Sequence, residues 1–288
     1  MSIALVSDST ANLPADFIAE HHVSVVPLYI KIGDKTYRDQ VDITPAQFYE
    51  LLPSASPLPT TSQPSVGDFQ TVYQDLRDKG ATSIISIHLS SGISGTVNAA
   101  RLAAEQMGGM PIEIIDTQSA ASAHMMTVET AAQAIGAGLG LQEVVALAQR
   151  VADEQKTLFT VDTLEYLYKG GRIGGAAALV GSLLQFKPLL YFRDGRIDAL
   201  ERVRKSSRSL ARMVEVMAEW MGPQTPVQAV VMHAASLERA NEVAELMRQS
   251  LNIVNLRIQF VTPVLGAHCG NGTIGICCCP EAVYRLPA

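Results

Sequence analysis

The sequence predicts an α/β protein of two domains. The first, over 1–155, is a doubly wound, mostly parallel sheet; the second, over 156–288, is an α+β domain. Three observations predict this. An apolar run, a polar turn and a helical segment recur three times before residue 125, the pattern of parallel strands joined by crossover helices. From about residue 156 that pattern gives way to a hairpin followed by helices and strands. The chain has 288 residues, enough to bury two ordinary cores.

Ile3-Ala4-Leu5-Val6 reads as the first strand. Asp8-Ser9-Thr10-Ala11-Asn12-Leu13-Pro14 is a polar turn, and a helix over 15–20 enters near the proline. The apolar run 23–32 is the next strand, which Gly33-Asp34-Lys35 turns back into 36–39. Thr44 caps a helix reaching residue 52, with Pro45 at its first position. A proline- and serine-rich loop over 53–59 leads to Thr60-Thr61-Ser62-Gln63-Pro64-Ser65, where Ser65 caps a helix over 66–79. The strand 82–87 runs into Ser90-Ser91-Gly92-Ile93-Ser94-Gly95-Thr96 and then a helix over 97–104. Strand 112–115 ends in Asp116-Thr117-Gln118-Ser119-Ala120, with helices over 120–137 and 141–155. In the second domain, 159–161 is a strand and 163–169 a short helix stopped by Gly170-Gly171. Asp194-Gly195 turns a hairpin between 188–192 and 197–200. Helices over 207–220 and 237–250 then alternate with strands over 227–233 and 256–261.

Composition excludes several classes. The chain is 48% apolar and 17% charged, as globular domains are. A net charge of −6 disfavours a general nucleic-acid or anionic-membrane binder, and no helix-turn-helix pattern supports a DNA-binding regulator. Arg202, Arg204, Lys205, Arg208 and Arg212 read as a solvated helix face. The N-terminus has no basic region or apolar core of signal-peptide length, and the longest apolar stretch, 173–186, is too short to cross a bilayer. A cytoplasmic protein without stable membrane insertion is expected. Cys269, Cys277, Cys278 and Cys279 include no paired CxxC. Adjacent cysteines on a strand point to opposite faces, so no metal site is expected and the thiols read as small buried apolar groups.

The turn at 90–96 places backbone N–H groups and hydroxyls at a helix start, where an anion is favoured. Phosphate and carboxylate fit it equally. Asp8 and Asp116 each follow a strand; they are either a metal or acid/base pair or turn caps, and the cap reading is favoured. His268, in the glycine-dense loop Gly266-Ala267-His268-Cys269-Gly270-Asn271-Gly272-Thr273, reads as functional, since such loops often build sites. Arg172, between two glycine pairs, is either an anion ligand or a surface ion-pair partner. A serine nucleophile, Ser91 or Ser94 with His268 or His124, is conceivable, but the chain has no GxSxG elbow, Walker, GxGxxG or HExxH motif.

Together Asp8-Ser9-Thr10-Ala11-Asn12-Leu13-Pro14, Thr61-Ser62-Gln63-Pro64-Ser65, the 90–96 turn, Asp116-Thr117-Gln118-Ser119-Ala120, Lys169-Gly170-Gly171-Arg172-Ile173 and the 266–272 segment resemble the DegV family. The resemblance spans nearly the whole chain. It implies a bacterial fatty-acid-binding protein of two α/β domains, with the ligand between them and no cofactor. The ligand is a long-chain fatty acid such as palmitate. The implied partner is a separate fatty acid kinase, which phosphorylates the bound carboxylate to an acyl phosphate. Carried over by motif, Thr61, Ser62 and Ser94, with Ser91 nearby, contact the carboxylate; His268 joins them and Arg172 lies at the domain interface. The chain departs from the family at Asn271, where members often have proline, and in the cysteine run that follows.

On this reading the protein is a carrier and not an enzyme; the alternative is a serine hydrolase acting on acyl esters. Charge-assisted bonds to the carboxylate contribute about 1.5–3 kcal/mol each. The tail contributes more: roughly 14 methylenes at about 0.8 kcal/mol each, or about 11 kcal/mol gross. The apolar stretch 173–184, with Leu183, Leu184 and Phe186, is a candidate tunnel lining, and equally an interior helix.

Overall fold

The computed structural model describes residues 2–179, 186–204 and 206–286. Its strands are β1 (Ile3–Asp8), β2 (Ser24–Val26), β3 (Tyr29–Ile32), β4 (Lys35–Arg38), β5 (Thr60–Ser62), β6 (Ser83–His88), β7 (Ile112–Asp116), β8 (Lys156–Thr160), β9 (Lys187–Arg193), β10 (Arg196–Val203), β11 (Val227–His233), β12 (Ile253–Phe260) and β13 (Ile274–Pro280).

The first sheet is parallel, in the order β2-β1-β6-β7. Alternation along β1 and β6 serves two cores. Val6 and Ile84 pack with Phe69 and Tyr73 of helix Val66–Asp78 and with Ala99, Ala100 and Ala103 of helix Thr96–Met107. Leu5, Ile85 and Ile87 face the other way, into a cluster with Met125 and Val128 of helix Ser122–Gly136 and Val144 of helix Leu141–Glu154. Burial on both faces is why the β6 strand, Ser83–His88, lacks a polar exposed row. The predicted strand over 23–32 is two strands instead. Pro27 has no N–H for a ladder and separates β2 from β3, which joins β4 and β5 in a small antiparallel sheet.

The second sheet has the order β10-β9-β8-β13-β11-β12 and is antiparallel except for the β11–β12 pair. Helices Ser206–Met221 and Leu237–Ser250 cover one face, with Met213, Met217, Val243 and Met247 against Leu158, Leu189 and Val231. The other face joins the large cluster that also serves the first sheet. The cysteine run lies on β13, between β8 and β11: Cys277 and Cys279 enter one core and Cys278 the other. All four thiols are free and buried, and burial pushes Cys269 up to about 11 and Cys277 to about 12. Asp194 and Gly195 both adopt positive φ at the predicted hairpin turn.

The basic residues at 202–212 do not share a helix face. Strand β10 runs on to Val203, so Arg202 lies on it and Arg204 just beyond, both over the Phe186 ring. Arg212 sits on the following helix, held by Glu201, Glu215 and Glu219. Lys205, Leu183 and Leu184 lie outside the described residues. Among the described residues no helix is long and apolar enough to cross a membrane. Nor, among them, is any group of three or more His, Cys, Asp or Glu placed to hold a metal ion.

Candidate functional site

The turns that leave β1, β6 and β7 are bonded to one another at the carboxyl edge of the parallel sheet. Asp8 does cap its turn, since one carboxylate oxygen accepts the Thr10 N–H at 3.0 Å and the Thr10 hydroxyl at 2.5 Å. The other oxygen accepts the Leu89 N–H at 3.1 Å and lies 3.0 Å from His88 Nδ1. Burial alone raises the Asp8 pKa, but nearby His124 and the His88 hydrogen bond outweigh it and hold the carboxyl at about 2. Asp116 is a turn cap as read, accepting the Ser91 N–H at 3.2 Å and the Gln118 N–H at 3.0 Å. It is not paired with Asp8. Sequence reasoning missed the buried His88–Asp8–His124 group, because the partners are 80 and more residues apart.

The second half of the chain reaches this edge at several points, among them the Phe260 carbonyl, which accepts from Asn12 Nδ2 at 2.8 Å. Ser90 Oγ donates to the Gly195 carbonyl at 2.6 Å, seating the β9–β10 hairpin on the 90–96 turn. Arg172 Nε donates to the Ile93 carbonyl at 2.9 Å and Nη1 to the Gly170 carbonyl at 2.8 Å.

His268 lies in a helix, Pro263–Cys269, and not in the predicted loop. Pro263 opens the helix at its first turn. Gly266 interrupts it in sequence for a packing reason: a Cβ there would lie 2.5 Å from the Tyr49 hydroxyl. His268 Nε2 is 2.7 Å from Thr61 Oγ1 on β5. Its Nδ1 is buried without a partner and faces Gly170, where a Cβ would come within 2.3 Å. Gly170, the first of the glycine pair before Arg172, thus makes the flat surface on which the imidazole rests. Burial, and then the charge of Arg172, lower the His268 pKa to about 4, so the ring is neutral at pH 7.

A cavity of about 830 Å³, its opening included, lies between the parallel sheet's carboxyl edge and the inner face of the six-stranded sheet. Leu28, Leu89, Ile93, Ala120 and Ala121 line it from the first half, and Phe159, Phe192, Met232, Val264, Leu265 and Gly275 from the second. Thr61, Ser94, Arg172 and His268 also line it. An outer groove formed by 55–60, Tyr166, Lys169 and Gly170 shares Thr61, Arg172 and His268 with the cavity, so this polar end faces the outside.

Four of the six predicted residues therefore line one cavity. Ser94 Oγ bonds to Thr96 Oγ1 at 2.8 Å and accepts the Thr96 N–H at 3.3 Å. Ser62 and Ser91 are exposed and are not among the lining residues. Ser62 follows Thr61 on β5 and therefore points to the opposite face. Sequence reasoning also missed Thr10 and Cys269 as lining residues. Asn271, where the family pattern often has proline, donates from Nδ2 to the Tyr49 carbonyl at 3.5 Å.

Residues 2–281 match the family model described as "Uncharacterised protein, DegV family COG1307". A DegV domain-containing protein of Halalkalibacterium halodurans is 38% identical over 95% of this chain and 97% of its own length. Protein DegV of Bacillus subtilis is 33% identical over 97% of this chain and 99% of its own. Among solved structures, a DegV family protein from Thermus thermophilus, described by its fatty acid binding, matches with TM-score 0.91 at 33% identity, covering 97% of this chain and all of that one. Bacillus subtilis DegV, described as a fatty acid binding protein, matches with TM-score 0.89 at 32% identity, covering 98% of this chain and all of that one. By a family model that spans almost its full length and by these relatives, the chain belongs to the DegV family.

Proposed function

We propose that the protein binds a long-chain fatty acid such as palmitate and presents its carboxylate to a separate fatty acid kinase. The observation that carries this is an apolar cavity lined in part by Thr61, Ser94, Arg172 and His268, of which Thr61, Arg172 and His268 also line an outer groove. The fatty acid binding described for the Thermus thermophilus and Bacillus subtilis proteins supports it. Residues 1–155 supply Thr61 and Ser94, and residues 156–288 supply Arg172 and His268, so the carboxylate sits between the two domains.

The imidazole has one hydrogen to place. On Nε2 it is donated to Thr61 Oγ1, which frees the Thr61 hydroxyl hydrogen for the ligand; on Nδ1 it has no acceptor. The neutral ring relays a hydrogen bond, and Arg172 supplies the positive charge. A serine hydrolase fits less well. The hydroxyl against His268 Nε2 belongs to Thr61, Ser94 is bonded to Thr96, and Nδ1 has no carboxylate to orient the ring as a base. His124 is engaged with Ser7, Thr10 and the Ile87 carbonyl.

The test is to supply palmitate-loaded protein, a fatty acid kinase and ATP, and to trap acyl phosphate with hydroxylamine. Hydroxamate that forms from the loaded protein, and not from free palmitate, supports the reading. Equal yield from free palmitate overturns the presenting role.

A further inference from the structure

The cavity borders two outer grooves that, among the described residues, have no lining residue in common. One is the groove at the polar end. The other is lined by Gln118, Lys156, Asp194 and Trp220 among others, and among the described residues it shares only Thr157 and Phe192 with the cavity. Among the described residues, then, the wall at that place is formed by Thr157 and Phe192. Phe192 is the larger. It stands on β9 opposite Ile197 of β10, half-buried, with its ring centroid 6.2 Å from that of Phe159. One side of it meets the apolar cavity and the other a groove carrying Lys156 and Asp194.

We propose that Phe192 is the stop that closes the tail end of the acyl-chain cavity and sets the longest chain the protein holds. This rests on the fatty-acid reading above. Burial gains about fourfold in affinity per methylene, so affinity climbs with chain length until the terminal methyl meets the ring. Longer chains must then buckle or leave carbon in water. Removing the ring joins the cavity to the groove beside Trp220 and lets the climb continue.

The experiment is displacement of a fluorescent fatty acid from delipidated protein by saturated acids of stepped length, for the wild type, Phe192→Ala and Phe192→Leu. The wild type is expected to show a length optimum. Phe192→Ala moves that optimum up by two or more methylenes, strengthens binding of acids just past the wild-type limit at least tenfold, and leaves shorter acids within about threefold. Phe192→Leu keeps an apolar body at the position and gives an intermediate optimum, which guards against a misfolded alanine variant. An unchanged optimum in both variants overturns the assignment while leaving fatty-acid binding intact. A wild type from which no acid of any length displaces the probe overturns the fatty-acid reading itself.

Discussion

Replacing Thr61 by valine keeps the branched shape on β5 and deletes only the hydroxyl. Two consequences follow from its 2.7 Å contact with His268 Nε2. In the ligand-free protein the ring is left with both nitrogens unpaired, since Nδ1 already has no partner; that costs about 1 kcal/mol, a fall in Tm of roughly 2–4 °C. In the complex the carboxylate also loses a charge-assisted hydrogen bond worth about 1.5–3 kcal/mol, a roughly 10- to 150-fold loss of affinity. Isothermal titration of delipidated protein with palmitate measures the second effect and thermal denaturation the first. Affinity within twofold of wild type, with the Tm lowered, refutes the reasoning. Thr61 would then be a support for His268 with no contact to the ligand.

The remaining predictions concern Ser94 and two buried ionisable groups. Ser94→Ala weakens palmitate retention more than it lowers stability, because a half-buried turn hydroxyl leaves no core cavity; easy unfolding with lipid retained would reduce Ser94 to a cap. His268 is lowered from 6.5 to about 4, so between those values the unfolded chain binds a proton the folded one refuses. Stability therefore falls as pH drops from 6.5 to 4, by about 3 kcal/mol at most, and His268→Gln flattens that part of a urea-unfolding profile. Asp39 has the opposite sign. It is buried, accepts the Val264 N–H that begins the His268 helix, and is raised from 3.8 to about 7, chiefly by desolvation. Its folded form keeps a proton that the unfolded form loses, so its contribution fades as pH rises from 3.8 through 7. Asp39→Asn is expected to stabilise the protein at pH 8, by on the order of 4 kcal/mol at most; no gain at pH 8 would contradict that sign.

What was legible in the sequence divides along physical lines. Local signals were strong where one residue's backbone chemistry decides: the Thr44 and Ser65 caps carry the expected side-chain bonds, and Asp194-Gly195 turns the hairpin. The break at Pro27 was readable from its missing N–H, yet apolar continuity over 23–32 hid it. The His268 helix was hidden for the reverse reason. Gly266 looks like a loop residue, and only the approach of Tyr49 explains a glycine there. Local chemistry marks the 90–96 turn, Arg172 and His268 as candidates but leaves carboxylate and phosphate equal; the family's ordered motifs add Thr61 and the carboxylate. Ser62 was carried over with Thr61, although neighbours on a strand face opposite ways. Phe159, Phe192 and Met232 read as ordinary strand residues, because no local pattern marks which face of a sheet borders a cavity.

The central claim is that the cavity holds a long-chain fatty acid. Its most direct test is solvent extraction of protein purified from a bacterial host, followed by mass spectrometry of the extract against a protein standard. The account predicts a long-chain fatty acid near one equivalent per chain, falling sharply in Thr61→Val. A wild-type extract containing no fatty acid at near-stoichiometric level would contradict it.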